Sequence, residues 1–349
     1  MAEHWKRTRG EEVRVRESSL RVTVKAIFEK MGVLNEDAAQ AADVLVTADL
    51  WGWTDHGVST LPIFVKGCQD GSINVRPNLR PLREFDSTAT FDCDRGLGIV
   101  QASQAMRLAI GKAKRTGVGV VVMKNSQLLG ACGYYAALPT NERMIGVCAT
   151  IGGMLVPASD GESFHESSSS AVGAPVRNQA PFLFDTSASS FPMRSVAPRQ
   201  GPVPESIAQG QMERAEQGDV PSLDFVTNGV SGAFIGHGSF AAMETLGALL
   251  SGAFPVVLIP SAGASHYLAA YSIQAFVDPT TYDENMDHLL RMSPGEDSVL
   301  GPEGAEYPGL LENEEQRQRR VRGIPLQRKV ADLINKICGD LSVSPMEQL

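Results

Sequence analysis

Ala48-Asp49-Leu50-Trp51-Gly52-Trp53-Thr54-Asp55-His56-Gly57-Val58-Ser59 carries the chain out of a helix and into a turn crowded with aromatic and titratable groups. Upstream, Asn35 is a good N-cap and Glu36 and Asp37 put carboxylates in the first turn, where the helix dipole favours them, so a helix is predicted from Asn35 to about Leu50. Before it, Val24, Ile27, Phe28 and Met31 recur at the spacing of an amphipathic helix over Ser18 to Met31, with Gly32 at the exit. The chain therefore opens with a helical hairpin that delivers His56 to a turn. A lone histidine there is more often structural, as a cap following Asp55, than chemical, and Trp51 and Trp53 are more often core or interface residues than pocket walls. Their crowding around His56 favours a site.

Downstream the pattern changes to α/β order. Thr88 to Asp92, Val118 to Met123 and Ile145 to Ile151 read as strands, and about Val100 to Arg115 reads as a helix. Ser159 to Arg199 is rich in Ser, Pro and Ala and weakly periodic, and is predicted to be ordered loop. Phe240 to Leu250 reads as a buried helix and Ser272 to Val277 as a strand stopped by Asp278-Pro279. After a loop over 295 to 312, Asn313 to Arg322 and Leu326 to Leu341 are predicted to be closing helices.

The chain has 349 residues, 43% hydrophobic and 20% charged, enough for a large core in two or three interlocked parts. We expect a helical N-terminal part, 1–80, packing with a C-terminal part, 260–349, and a central α/β domain, 81–259. A net charge of -9 argues against binding nucleic acid. Five widely spaced cysteines with no C-x-x-C pair read as reduced core residues, with no metal site. No stretch reaches the roughly 18 uncharged apolar residues of a membrane span, and the N-terminus lacks an apolar leader, so a cytoplasmic protein is expected.

Several further segments follow the opening stretch in order: Asp94-Arg95-Gly96-Leu97-Gly98, Asn125-Ser126 through Gly133-Tyr134-Tyr135, Phe184-Asp185-Thr186-Ser187, Val277-Asp278-Pro279 and Gly323-Ile324-Pro325-Leu326. Together they span almost the whole chain and resemble the type 2 malate/L-lactate dehydrogenase family, which also includes ureidoglycolate, sulfolactate and cyclic-imino-acid oxidoreductases. The resemblance implies a non-Rossmann α/β fold with a mixed sheet, a nicotinamide site between domains and an obligate homodimer that contributes to the site. No G-x-G-x-x-G follows an early strand and no G-x-x-x-x-G-K-[ST] occurs, which agrees with a non-Rossmann fold.

The resemblance places the acid/base histidine on His56 and its orienting carboxylate on Asp185, with Asp55 a second candidate for that role. Where family members usually carry arginine, this chain has Trp51 and Thr60, so two cations for a substrate carboxylate are missing. The family's Asn-Ser-Asn-His-Phe-Gly becomes Asn125-Ser126-Gln127-Leu128-Leu129-Gly130, its Gly-Thr-Asn-Pro becomes Glu166-Ser167-Ser168-Ser169, and its Lys-Gly-Tyr-Gly becomes Ile235-Gly236-His237-Gly238. Each charge-assisted hydrogen bond to a dinucleotide is worth about 1.5 to 3 kcal/mol, so these replacements weaken the inherited cradle.

The replacements lead to the expectation of an enzyme without cofactor, on a scaffold that no longer transfers hydride. It would catalyse a cyclisation, pericyclic in one version, an isomerisation or an elimination on a bulky apolar specialised metabolite. His56, held by Asp185, would act as acid/base or hydrogen-bond donor, and Trp51, Trp53, Thr60, Leu128, Tyr134 and His237 would line the small-molecule site. The alternative is an NAD(P)H-dependent oxidoreductase of an unusual ketone or cyclic imine, with Asn125 and Ser126 at the cofactor. A second alternative is a non-catalytic partner subunit.

Overall fold

A computed structural model of the protein describes residues 12–157, 164–186, 241–253, 263–291 and 307–349. The helical hairpin forms as the spacing dictates: α1 (Glu17–Lys30) buries Leu20, Val24, Ile27 and Phe28, and α2 (Asn35–Leu50) buries most of its second half. Burial of α2 on nearly all sides follows from its neighbours, since it packs against α1, against α4 (Gly98–Thr116) and against α7 (Leu310–Arg322). Between α2 and α4 the chain forms α3 (Leu61–Asp70) and the strands β2 (Arg80–Glu84) and β3 (Thr88–Asp92).

Seven strands form one mixed sheet in the order β2-β3-β4-β8-β5-β6-β7. Its further members are β4 (Val118–Ser126), β5 (Met144–Pro157), β6 (Phe164–Ala174), β7 (Phe182–Asp185) and β8 (Ala264–Ser272). Among the described strands only β3 and β4 pair in parallel, and α4 is the crossover between them. The short helix α5 (Cys132–Ala137) leads from β4 towards β5 and lies against β5 and β6. At the chain's two ends, β1 (Glu12–Val15) pairs antiparallel with β9 (Ile324–Gln327), just before α8 (Arg328–Leu341), so segments more than 300 residues apart are joined. The expected mixed α/β fold is therefore present.

Three expectations fail locally. The Ser-rich stretch after Ser159 was expected to be loop, yet β6 and β7 occupy 164–174 and 182–185, because β6 pairs with β5 along much of its length and β7 closes the edge. Pairing with a neighbour outweighs the poor intrinsic strand preference of serine. The strand expected over Ser272 to Val277 lies earlier, at Ala264–Ser272, and ends where that expectation began. Its centre is buried between β4 and β5, so Ser265 and His266 sit inside the sheet rather than marking a loop. Residues 273–275 form a single 3-10 turn, and α6 (Pro279–Arg291) starts at the anticipated Asp278-Pro279 break, with the Asp278 carboxylate accepting the Thr280 N–H at 2.8 Å. A helix is present from residue 241 and contains a π turn over Thr245–Leu249, but it is not the buried helix expected: of residues 241–250 only Glu244, Gly247 and Ala248 are buried, and Leu249 and Leu250 are exposed.

Candidate active site

The turn after α2 is shaped by its own hydrogen bonds. His56 N–H donates to Trp53 O at 2.9 Å, Ser59 Oγ to Thr54 O at 2.6 Å and Thr60 Oγ1 to Gly57 O at 2.7 Å. The hydroxyl of Thr60 is thus spent inside the turn. Beneath it the buried carboxylate of Asp49 accepts the Val58 N–H at 2.7 Å, and Gly57 lies so close to that carboxylate that a Cβ would collide with it. Burial raises the Asp49 carboxyl from its ordinary 3.8 to about 7, against the Val58 N–H and Arg319, which lower it; Asp55 adds a further raising effect.

The aromatic residues beside the turn pack on one another. Trp51 and Trp53 meet edge to face with centroids 5.0 Å apart, and Trp51 lies 6.4 Å from the Tyr134 ring. Trp53 is the more deeply buried tryptophan, and its ring edge packs on Gly133 at the start of α5. Tyr134 directs its hydroxyl to Asp43 on α2 and receives a bond from Gln40 at 3.0 Å, while Tyr135 donates to Leu129 O at 2.6 Å. Both tyrosine hydroxyls are therefore used within the scaffold.

Asp185, at the end of β7, is buried and accepts the Gly133 N–H at 2.5 Å. Trp53 and Asp185 thus touch the same glycine, which joins the end of the sheet to the His56 turn. Asp55, by contrast, is exposed. The segment 127–131 completes the convergence. Gly130 lies next to the His56 carbonyl, Leu128 is half-buried against the core, and Gly98 at the start of α4 is pressed against Gln127 O with no room for a Cβ.

The two residues expected at a cofactor differ in role. Ser126 is fully buried and its hydroxyl donates to Gln101 at 3.3 Å, so its side chain builds the scaffold. Asn125 adopts a φ of 54° and anchors its amide on Asp92 at 2.9 Å, which turns the chain off the end of β4. Two cations adjoin this edge: Lys124, whose Nζ donates to Gly252 O at 3.3 Å, and Arg95, whose backbone N–H donates to Asn125 O at 2.8 Å and whose guanidinium donates to Gly71 O at 3.2 Å. His237 lies outside the described residues.

Sequence reading missed His266. It is fully buried, with Nε2 3.1 Å from Gln127 O and Nδ1 2.8 Å from Thr150 Oγ1, and burial pushes its pKa from 6.5 down to about 4. Neutral, it donates from Nε2 to the Gln127 carbonyl and accepts from Thr150, pinning the segment that leads to Gly130. An isolated histidine in an apolar strand gives no sequence signal for this. Among the described residues no group of three His, Cys, Asp or Glu side chains is placed to hold a metal ion, and no helix is long and apolar enough to cross a membrane.

The sequence matches the malate/L-lactate dehydrogenase family over residues 15–335. It is 30% identical to the malate dehydrogenase of Pyrococcus horikoshii, covering 95% of this chain and 96% of that one. To the L-sulfolactate dehydrogenase of Methanothermobacter thermautotrophicus it is 29% identical over 92% and 95% of the respective chains. Among solved structures, that of malate dehydrogenase from Pyrococcus horikoshii superposes with a TM-score of 0.73 at 27% identity, over 96% of this chain and 97% of that one. These relatives overturn the expectation of a cofactor-independent cyclase, isomerase or lyase of specialised metabolism: full-length similarity runs to redox dehydrogenases. The expectation of no cofactor falls with it, since the family's members are NAD(P)-dependent. Replaced side chains do not by themselves abolish a cofactor cradle, because one can be built from backbone N–H groups and from cations at other positions.

Proposed function

Because this chain belongs to the malate/L-lactate dehydrogenase family, we propose that it is an NAD(P)-dependent oxidoreductase that interconverts a ketone or cyclic imine with the corresponding alcohol or amine. The observation that carries this reading is the convergence at Gly133: the His56 turn, through Trp53, and the buried carboxylate of Asp185 meet at the glycine that follows the Asn125–Ala131 segment. Two cations adjoin the edge, Lys124 on Gly252 O and Arg95 on Gly71 O, each held by one long bond to a backbone carbonyl that a phosphate would replace, while Asn125 fixes the path of the edge.

Hydride is the chemistry that a bound nicotinamide supplies. In the reducing direction His56 gives a proton to the substrate oxygen or nitrogen, and in the oxidising direction it takes that proton back. Asp185, buried where Asp55 is exposed, is the better placed carboxylate to orient the imidazole and stabilise its cationic form. Trp53, packed on Gly133, puts an apolar ring beside the turn. From Trp51 to Thr60 the turn contains no lysine or arginine, and Thr60 spends its hydroxyl on Gly57, which favours a substrate without a second carboxylate over a dicarboxylate such as malate.

Calorimetric titration with NADH and with NADPH, followed by the loss of reduced-nicotinamide absorbance over a panel of 2-oxo acids, neutral ketones and cyclic imines, tests this reading. Micromolar binding of either cofactor and turnover of a ketone or imine are expected. Absence of both binding and turnover at millimolar cofactor would overturn it. Trp51→Arg should move preference towards dicarboxylates. The resemblance also supports a homodimer, for which light scattering at the monomer mass would be the contrary result.

A further inference from the structure

Asp49 has no role in the reaction just described, yet it is among the most unusual groups in the molecule: a carboxylate only 1% exposed, at the end of a helix, directly under the turn that carries His56. Three contacts define its place. Its Oδ2 accepts the Val58 N–H at 2.7 Å, two residues beyond His56. Its carboxylate fills the space a side chain at residue 57 would take. Its own backbone carbonyl accepts Arg319 Nη1 at 2.6 Å, and Arg319, itself 9% exposed, is steadied by Glu315 at 2.7 Å.

An asparagine at this position could accept the Val58 N–H without the cost of a buried charge. A carboxylate forms the stronger bond when ionised and a weaker one when protonated, so its charge sets how tightly the turn is held.

We propose that Asp49 is a positioning residue that clamps the Gly57-Val58 backbone from below and so fixes where His56 stands. This rests on the reading of His56 as the acid/base residue. The charged groups facing Asp49 are Arg319 from α7, which favours its ionised form, and Asp55 from the turn, which opposes it. Loosening of the turn on protonation near neutral pH follows from that environment, and Trp51 and Trp53, two of the three tryptophans in the chain, flank the turn as reporters.

The test compares wild type, Asp49→Ala, Asp49→Asn and His56→Ala. In the folded Asp49→Ala variant kcat is expected to fall by about 10- to 100-fold with the cofactor KM unchanged, as displacement of a reacting group by a fraction of an ångström to an ångström would do, with Asp49→Asn restoring most of it. Wild-type kcat in folded Asp49→Ala overturns the proposal. Tryptophan emission of the ligand-free protein, titrated from acid to mildly alkaline pH, gives a readout that needs no activity. A transition near neutrality that persists in His56→Ala and disappears in Asp49→Asn supports the clamp. A transition that survives in Asp49→Asn, or none in wild type, overturns it, including when Asp49→Ala fails to fold. Unchanged turnover in His56→Ala would remove the acid/base reading alone, leaving the emission titration to decide on Asp49.

Discussion

The His56 turn and the Asn125 edge come together where Gly130 meets the His56 carbonyl, and they are held from behind by opposite means. Behind the turn is a buried carboxylate raised to about 7, and behind the edge is a buried histidine lowered to about 4. Each is driven by desolvation towards its neutral form, but one does so by keeping a proton and the other by refusing one. The support under the His56 turn thus changes charge near physiological pH, whereas the support under the Asn125 edge stays neutral there. On the functional reading proposed above, a cofactor cradle with a neutral support lies beside an acid/base turn whose support titrates.

The largest effect expected comes from deleting the chemistry of one side only. His56→Ala should lower kcat by about 10²- to 10⁴-fold while leaving NADH affinity within a factor of about two. Steady-state kinetics beside calorimetry checks this, and equal losses in both would merge the two regions into one functional unit.

Next in size is an attack on the cradle. Gly98→Ala pushes a methyl group into Gln127 O and should destabilise the fold by about 3 kcal/mol, or displace the 127–131 segment and weaken cofactor binding instead. Denaturant unfolding and cofactor titration together register either outcome, and a variant normal in both would mean that the edge yields easily and is no rigid cradle.

The pH dependence of stability separates the two supports further. Asp49 has a folded pKa above its ordinary 3.8, so between about pH 4 and pH 7 the native state binds more protons than the unfolded chain and stability falls as pH rises, by on the order of 4 kcal/mol in all. His266 has a folded pKa below 6.5, so the native state binds fewer protons between about pH 6.5 and pH 4 and stability falls as pH drops, by on the order of 3 kcal/mol. In the shared window the two slopes oppose each other. His266→Gln should expose a stability that declines from pH 4 to pH 7, and Asp49→Asn one that rises from pH 4 to about pH 6.5, in urea melts at several pH values. Parallel profiles for the two variants would abolish the distinction between turn and edge.

The smallest effect concerns Asp92, which anchors Asn125. Asp92→Ala should cost about 1 to 2 kcal/mol of stability and weaken cofactor binding without changing the pH profile of kcat. Stability melts, calorimetry and kcat across pH check the three parts, and a shifted kcat profile would tie the edge to proton transfer.

Much of this architecture was legible in advance. The hairpin α1–α2, the helix α4 and the strands β3, β4 and β5 follow from local periodicity, since each buries one face or both against a neighbour close in sequence. The β6 strand and the true limits of β8 were not: the serines of β6 carry no strand preference of their own and are strand residues only through pairing with β5 and β7, and the histidine of β8 is one only through β4 and β5, more than 100 residues earlier in the chain. At the site, the motif gave His56, Trp51, Trp53 and Asp185, and the structure ties their elements together through Gly133. Ser126 and Tyr134 were drawn from the same motifs, yet their hydroxyls bond to Gln101 and Asp43 inside the scaffold. A motif preserves scaffold and chemistry alike and does not separate them. Asp49 stood in the quoted stretch throughout, but its meaning depends on burial, which a sequence does not display.

The bond from Arg319 to the Asp49 carbonyl spans 270 residues of sequence. During synthesis the motif around His56 leaves the ribosome long before its distant partner exists, so the emerging chain carries the chemical groups of the turn without the anchor that completes their support. Support of the turn then depends on a late event in the life of the polypeptide, and a chain cut short before α7 would keep the recognisable signature while lacking the brace behind it.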